Sequence, residues 1–243
     1  DRSPDIALAS IYLNQIAGPY AVRHCIEAAI ICCVIAPTIG NARSTVAAAL
    51  TMNAGMVRLS DASDYVLSDE ERNAVRRHPA DSAELLRRAG VLDQDWLAFV
   101  LMHHETAEEV PAGARLIGMA DRYCAMVSAR NYRRSMLPPA ALGKLCAESG
   151  DARLAALFEE EIGPYPPGAL VRLANGETGV VSSRRVNGAI QVHAMRDTLG
   201  VPFAPIEQRS TREPHFAIQC ALHEDSAGLR FSMRQVWGDA AAV

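Results

Sequence analysis

The pattern of apolar and polar positions divides the chain into a long helical part and a shorter β-rich part. Residues 20–36 are apolar on nearly every face, which indicates a central buried helix. Residues 93–104 and 114–129 repeat apolar positions with the period of amphipathic helices, and residues 138–149 and 151–162 resemble a closing helical pair. The first 162 residues are therefore predicted to be helical.

Another helix is predicted from its capping residues. Ser68 and Glu71 form a capping box, in which each side chain satisfies a backbone N–H at the helix start. Because the residue before a proline disfavours helical angles, we expect this helix to break at His78–Pro79. Pro79 then starts a new helix that ends before Gly90.

The character of the sequence changes at residues 163–168, which read Gly-Pro-Tyr-Pro-Pro-Gly. Asn175-Gly176 follows as a typical hairpin turn. Short β-like runs lie at Leu170–Leu173, Thr178–Ser182, Ala189–His193 and Phe216–Leu222. We therefore predict a mainly α protein, with a helical domain over residues 1–162 and a small β-rich module over residues 163–243.

Composition narrows the class of partner. The chain has 24 basic and 28 acidic residues, a net charge of −4, whereas a domain that holds polymeric nucleic acid usually has a basic excess. No apolar run has the length of a membrane-spanning helix, and the first residues do not resemble a signal peptide. The six cysteines form no Cys-x-x-Cys pair and are expected to be free thiols. We therefore expect a cytoplasmic protein with neither a polymeric nucleic acid partner nor membrane insertion.

Several polar residues occupy helix faces that otherwise point inward. A buried carboxylate without a partner is costly, so Asp121 requires a cation, a metal or several donors. Histidines together with an aspartate form a common ligand set for a transition metal. The alternative for each histidine alone is a hydrogen-bonded core residue. The polar residues in question are His24, His78, His104 and Asp121.

Met52-Asn53 and His103-His104-Glu105 lie between these residues. The resulting order of motifs resembles that of the HD-GYP branch of the HD phosphohydrolase superfamily. Residues 112–123, AGARLIGMADRY, resemble the family segment that leads to its last metal-ligand aspartate. Residues 128–133, SARNYR, resemble its S-x-R-P-Y-R signature. The resemblance covers about residues 18–150. It implies an all-α bundle around a metal centre, and active members of the family hydrolyse cyclic di-GMP.

The chain departs from the family pattern at positions that matter for hydrolysis. Met52-Asn53 replaces the defining His-Asp pair, whose aspartate bridges two metal ions in the family. A neutral amide bridges cations poorly, and a thioether is a poor ligand for hard or borderline metals. Met56 stands where the family has a phosphate-facing lysine, and the Gly-Tyr-Pro loop is absent after His104. These degenerate positions predict a loss of hydrolytic activity.

The resemblance implies a vestigial or partial metal site, for which we expect either no cofactor or one divalent ion (Fe, Mn or Zn). Consecutive helical residues point about 100° apart, so two adjacent histidines suit two metals better than one. The implied ligands are His24, His78, His103, His104 and Asp121.

Two arginines are candidates for binding a nucleotide. Arg130 and Arg133 lie in the segment that resembles the family signature, and they could contact phosphates. The alternative is a solvated helix end, where cations are favourable.

Three functions are compatible with this pattern. The first is a non-hydrolytic regulatory or protein-interaction module in bacterial cyclic di-GMP signalling, with a signalling protein or a second copy of the chain as partner. The second is an active cyclic di-GMP phosphodiesterase with a rearranged ligand set. The third is a structural scaffold that has lost both nucleotide and metal. The altered pair at Met52 and Asn53 favours the non-hydrolytic functions.

Overall fold

The computed structural model describes residues 3–13, 18–56, 69–128, 134–186 and 188–241. These residues form two compact units. The helical unit comprises residues 18–56, 69–128, 134–135 and 145–157, and the sheet unit comprises residues 3–13, 136–144, 158–186 and 188–241. The predicted fold class, a helical part followed by a β-rich part, is confirmed. The predicted linear domain boundary after residue 162 stays a prediction.

The helices that precede the sheet follow the predicted periodicity closely. Gly40 directly follows the helix that ends at Ile39, and Gly90 comes shortly after the helix that ends at Arg88. Both glycines have positive φ, as expected where a chain leaves a helix. In chain order these helices are α1 Pro4–Tyr12, α2 Tyr20–Ile39, α3 Ala42–Thr51, α4 Asp69–Arg88, α5 Gln94–Met102, α6 Ala112–Val127, α7 Pro138–Glu148 and α8 Ala152–Glu161.

The central helix of the helical unit is α2, which packs against α3 and α6. Its residues Ala28, Ile31, Cys32 and Ile35 are completely buried, in agreement with its apolar sequence. The helix has 20 residues and a mean hydropathy of 1.7, so its length and composition alone would allow it to cross a membrane. Half of it is buried within the protein, as in the core helix of a folded domain. The expectation of no membrane insertion therefore stays a prediction.

The predicted helix break at His78–Pro79 is wrong, because α4 continues through Pro79 to Arg88. A proline inside a helix cannot donate to the carbonyl four residues earlier, here that of Val75. The His78 side chain supplies a donor instead, since its Nδ1 lies 2.6 Å from the Val75 carbonyl oxygen. The side chain thus compensates for the hydrogen bond that the proline removes. The capping residue predicted at Ser68 lies outside the described residues.

The sheet unit contains a five-stranded antiparallel sheet with strand order β4-β3-β2-β1-β5. The predicted turn at Asn175-Gly176 joins β1 and β2, and Gly176 has the positive φ that such turns require. The strands are β1 Leu170–Leu173, β2 Thr178–Val186, β3 Ala189–Arg196, β4 Pro202–Ser210 and β5 Ile218–Leu222.

Strand β4 was not predicted from the sequence. It contains Pro202 and Pro205, which resemble breakers, but it lies at the edge of the sheet. Proline is tolerated on an edge strand because the missing N–H can face away from the neighbouring strand. Phe216, predicted as the start of the last strand, belongs instead to a 3₁₀ turn before β5.

Both faces of the sheet bury apolar side chains. Val171, Val181 and Val192 belong to one cluster, whereas Leu170 and Val180 belong to the other. Successive side chains of a strand point to opposite faces, which explains why neighbouring residues enter different clusters. The short helices α9 Glu224–Ala227 and α10 Met233–Trp237 contribute Ala227 and Val236 to the second cluster.

Candidate metal centre

Two buried histidines have their protonation state fixed by backbone carbonyl groups. His78 Nδ1 lies 2.6 Å from the Val75 carbonyl oxygen, and His103 Nδ1 lies 2.7 Å from that of Val100. Val100 is in the last turn of α5, where carbonyl groups lack intrahelical partners. A carbonyl oxygen can only accept a hydrogen bond, so Nδ1 carries the proton in each ring. The neutral imidazole then presents a bare lone pair on Nε2.

These two lone pairs face each other. His78 Nε2 and His103 Nε2 are 3.2 Å apart, and neither nitrogen has a proton to donate. Two facing acceptors repel each other unless a cation or a hydrogen-bond donor lies between or beside them. The His104 ring lies 4.0 Å from the His103 ring and 5.0 Å from the His78 ring, measured between centroids. The ligand atoms of the three histidines all lie within 4.8 Å of one another. This histidine triad therefore fits a metal ion.

Electrostatics keeps the triad in its ligand form. Burial lowers the pKa of His78, and burial together with the neighbouring His104 lowers the pKa of His103 to about 4. Both rings are consequently neutral near pH 7, as a metal ligand must be. Imidazole nitrogens suit zinc, copper, iron and nickel. The arrangement can thus hold one of these divalent ions without first releasing a proton from His78 or His103.

The expectation that His103 and His104 suit two metals better than one rested on a helix that includes both residues, and it stays a prediction. Helix α5 ends at Met102, so both histidines lie in the turn that follows. The inward stripe of α5 also continues to His103, which is 1% exposed, and not to His104, which is exposed. The two side chains therefore contribute to one cluster with His78.

His24 and Asp121 form a second group. His24 Nε2 lies 2.7 Å from Asp121 Oδ1, and the Tyr20 hydroxyl lies 3.4 Å from His24 Nδ1. Burial acts to raise the pKa of Asp121, but the hydrogen bond and charge of His24, with His103 and His104, hold that pKa below its ordinary value. Asp121 therefore stays ionised and uses His24 as its partner. It also interacts electrostatically with His103, which places the pair beside the triad.

The residues that the resemblance aligns with the family's His-Asp pair are tied to other groups. Met52 is completely buried, and its carbonyl accepts a hydrogen bond of 2.8 Å from the Ser82 hydroxyl. The same hydroxyl accepts one of 2.9 Å from the Gly55 N–H, which fixes this segment to α4. Asn53 hydrogen-bonds to the thiol of Cys25. Met56, the last residue of a short 3₁₀ turn, is partly buried.

A cavity of about 70 Å³ adjoins the triad in the helical unit. Sequence reasoning missed its lining residues Arg115 and Arg122. Their spacing of seven residues, two helical turns, would have placed them on the same face of α6. The predicted nucleotide-binding residues Arg130 and Arg133 lie outside the described residues.

Comparison with known proteins shows what this part of the chain is similar to. The family model of the HD domain matches residues 21–126, a range that contains every predicted metal-ligand position. This match covers 106 of the 243 residues, less than half of the chain. The chain is similar to the cyclic di-GMP phosphodiesterase PA4108 of Pseudomonas aeruginosa, with 31% identity over 128 residues. That alignment covers 47% of this chain and 31% of the relative.

A second relative is the cyclic di-GMP phosphodiesterase response regulator RpfG of Xanthomonas campestris pathovar campestris. It is 32% identical over 96 residues, which cover 35% of this chain and 25% of the relative. The chain thus matches less than a third of the length of either relative.

Proposed function

We propose that the HD domain is a metal-binding, non-hydrolytic regulatory module in bacterial cyclic di-GMP signalling. The metal part of the proposal rests on the facing Nε2 atoms of His78 and His103, 3.2 Å apart. A divalent ion held by the histidine triad would supply Lewis acidity toward a phosphate oxygen. The histidines of the triad would hold the ion, and the backbone carbonyls of Val75 and Val100 would orient the rings of His78 and His103.

The non-hydrolytic part rests on the environment of Asn53 and Asp121. Phosphodiester cleavage by a pair of metals requires carboxylates that bridge or flank both ions. Asn53 is neutral and hydrogen-bonds to Cys25, and Asp121 is engaged by His24 at 2.7 Å. Among the described residues, the histidine triad therefore supports one ion, and position 53 offers no carboxylate to bridge to a second.

The ligand part rests on the relatives, both of which are named cyclic di-GMP phosphodiesterases. A domain that retains the triad but lacks the bridging carboxylate would bind the same nucleotide and pass the signal to a partner. We propose that this partner is a signalling protein or a second copy of the chain, and that the protein acts in the cytoplasm.

Elemental analysis of the purified protein, with cyclic di-GMP titrated into the same sample, tests this function. We expect about one transition metal per chain, binding of the nucleotide, and no cleavage product. His103→Ala should lose the metal, whereas His215→Ala, which alters an exposed histidine of the sheet unit, should keep it. A metal content that is the same in wild type and His103→Ala would refute the metal site.

The second candidate is an active phosphodiesterase, which the names of both relatives favour. It predicts cleavage of cyclic di-GMP on addition of manganese or iron. Because His104 belongs to the triad, His104→Ala should abolish that cleavage. Such a result would replace the non-hydrolytic proposal.

A further inference from the structure

We propose that the cavity beside the histidine triad is an anion subsite that takes one phosphate group, with Arg122 as its recognising cation. The cavity is lined by His103 and His104 on one side and by residues of α6 on the other. The inference rests on the proposed function, because an ion held by the triad would supply the second positive charge of the subsite.

One glycine allows α6 to approach the histidine triad closely. Gly118 lies midway between Arg115 and Arg122 on α6, and all three residues line the cavity. A Cβ atom at Gly118 would overlap the carbonyl oxygen of His103. The absent side chain therefore allows α6 to lie directly against the turn that carries His103.

The two arginines have different partners. Arg115 forms an ion pair with Asp151, 3.2 Å from Nη1 to Oδ2, so its charge is already compensated. Arg122 donates from Nε to the Gly118 carbonyl at 3.2 Å, which orients its guanidinium. Within the described part of the chain, no carboxylate forms an ion pair with Arg122. The other carboxylate of the lining, Glu105, is exposed.

The chemistry of the cavity suits a small anion. Its volume of about 70 Å³ leaves room for a group of the size of a phosphate. A guanidinium presents several N–H donors in a planar fork that matches phosphate oxygens. The buried Nε of Arg115 has no acceptor among the described residues.

Calorimetric titration tests the subsite, with inorganic phosphate and cyclic di-GMP as separate probes of the full chain. We expect Arg122→Gln to raise the dissociation constant of both probes at least about tenfold, because a hydrogen bond to a charged group is lost. Arg122→Lys keeps the charge but loses the planar fork of donors. Its dissociation constants should lie between those of wild type and Arg122→Gln. Arg88→Gln changes an exposed arginine of α4 outside the cavity lining and should bind like wild type.

The metal-loaded and the chelator-treated protein are titrated in parallel. This comparison distinguishes a failure of the phosphate subsite from a failure of the proposed function. Removing metal should weaken phosphate binding, but the difference between wild type and Arg122→Gln should persist. Equal affinities of wild type, Arg122→Gln and Arg122→Lys in both states overturn the subsite, whether or not the metal binds. A dependence on Arg122 for phosphate but not for cyclic di-GMP would show a free-phosphate site and overturn its role in nucleotide binding.

Discussion

His78 and His103 face each other through their Nε2 atoms at 3.2 Å, and each ring is held by a backbone carbonyl that the local sequence leaves without its usual partner. For His78 that carbonyl belongs to Val75 and is freed by Pro79, and for His103 it belongs to Val100 at the end of α5. Two unrelated irregularities of helix geometry thus orient two ligands toward one point.

Replacing Pro79 tests this relationship. Pro79→Ala restores a backbone N–H that competes with His78 for the Val75 carbonyl, so the ring loses part of its orienting contact. We expect zinc affinity to fall about tenfold, the lower end for loss of an outer contact to a ligand. The unfolding free energy of the metal-free protein should rise by about 1 kcal/mol, because alanine suits a helix interior better.

Pro37→Ala is the matched control, since Pro37 also lies inside a helix, α2, but outside the histidine triad. It should affect stability without changing zinc affinity. Competition with a chromophoric chelator measures affinity, and urea unfolding measures stability. An unchanged zinc affinity in Pro79→Ala would show that the Val75 contact does not orient His78.

The low pKa of His103 predicts a pH-dependent stability. In the folded protein this pKa is about 4, and in the unfolded chain it is expected near the ordinary value of 6.5. Between these values the unfolded state binds more protons, so stability falls as pH decreases from 6.5 toward 4 and is unaffected by His103 above that window. The full contribution is about 3 kcal/mol.

Urea unfolding of the chelator-treated protein between pH 7.5 and pH 5 measures this effect. His103→Gln cannot titrate and should have a smaller pH dependence than wild type over that range, although it is less stable near pH 7. The same slope in wild type and variant would mean that His103 is not the group responsible.

The sequence predicted the elements that depend on regular periodicity. The buried face of α2, with His24 beside Ile31, follows directly from apolar spacing. Where two effects oppose each other at the same position, sequence patterns did not predict the structure. Proline usually ends a helix, but the side chain of His78 compensates for it, and no local pattern indicates that contact. The edge position of β4 depends on strand order, which is a tertiary property.

The candidate site shows the same division. The resemblance indicated which residues to examine, but it could not separate the triad from the His24–Asp121 pair. The grouping of His103 with His104 depends on where α5 ends. One more helical turn would have pointed these two side chains apart. Helix ends are set by capping contacts over one or two residues, so sequence periodicity alone does not fix them.

Gly118 offers a test of how closely α6 must approach the triad. Gly118→Ala places a Cβ atom against the carbonyl oxygen of His103, and α6 or the turn after α5 must move. We expect a loss of about 1–3 kcal/mol in unfolding free energy, as for overpacking, together with weaker metal binding. Gly143→Ala in α7 meets no atom within 4 Å and should be neutral or stabilising. Thermal unfolding and elemental analysis of both variants check the prediction, and wild-type metal content in Gly118→Ala would contradict it.

Restoring the family pair should repair metal binding without restoring hydrolysis. Met52→His with Asn53→Asp returns an imidazole and a carboxylate to the end of α3, next to the segment that Ser82 ties to α4. A carboxylate can bridge two cations where an amide cannot, so we expect metal content to rise from about one to about two per chain. Elemental analysis and cleavage of cyclic di-GMP are measured on the same sample.

Cleavage in this double variant should stay weak for two reasons. Met56 supplies no positive charge for a phosphate, and the short segment between His104 and Pro111 supplies no loop to close over the nucleotide. Positioning of a substrate can contribute about 7–11 kcal/mol to lowering a barrier in favourable cases, so an additional metal alone does not replace it. Cys25→Ser in the same background controls for the Cys25–Asn53 hydrogen bond, which Asn53→Asp alters. A higher metal content without cleavage supports this prediction. Full cleavage shows that the loop is dispensable. An unchanged metal content shows that the pocket around position 53 no longer accepts a bridging ligand.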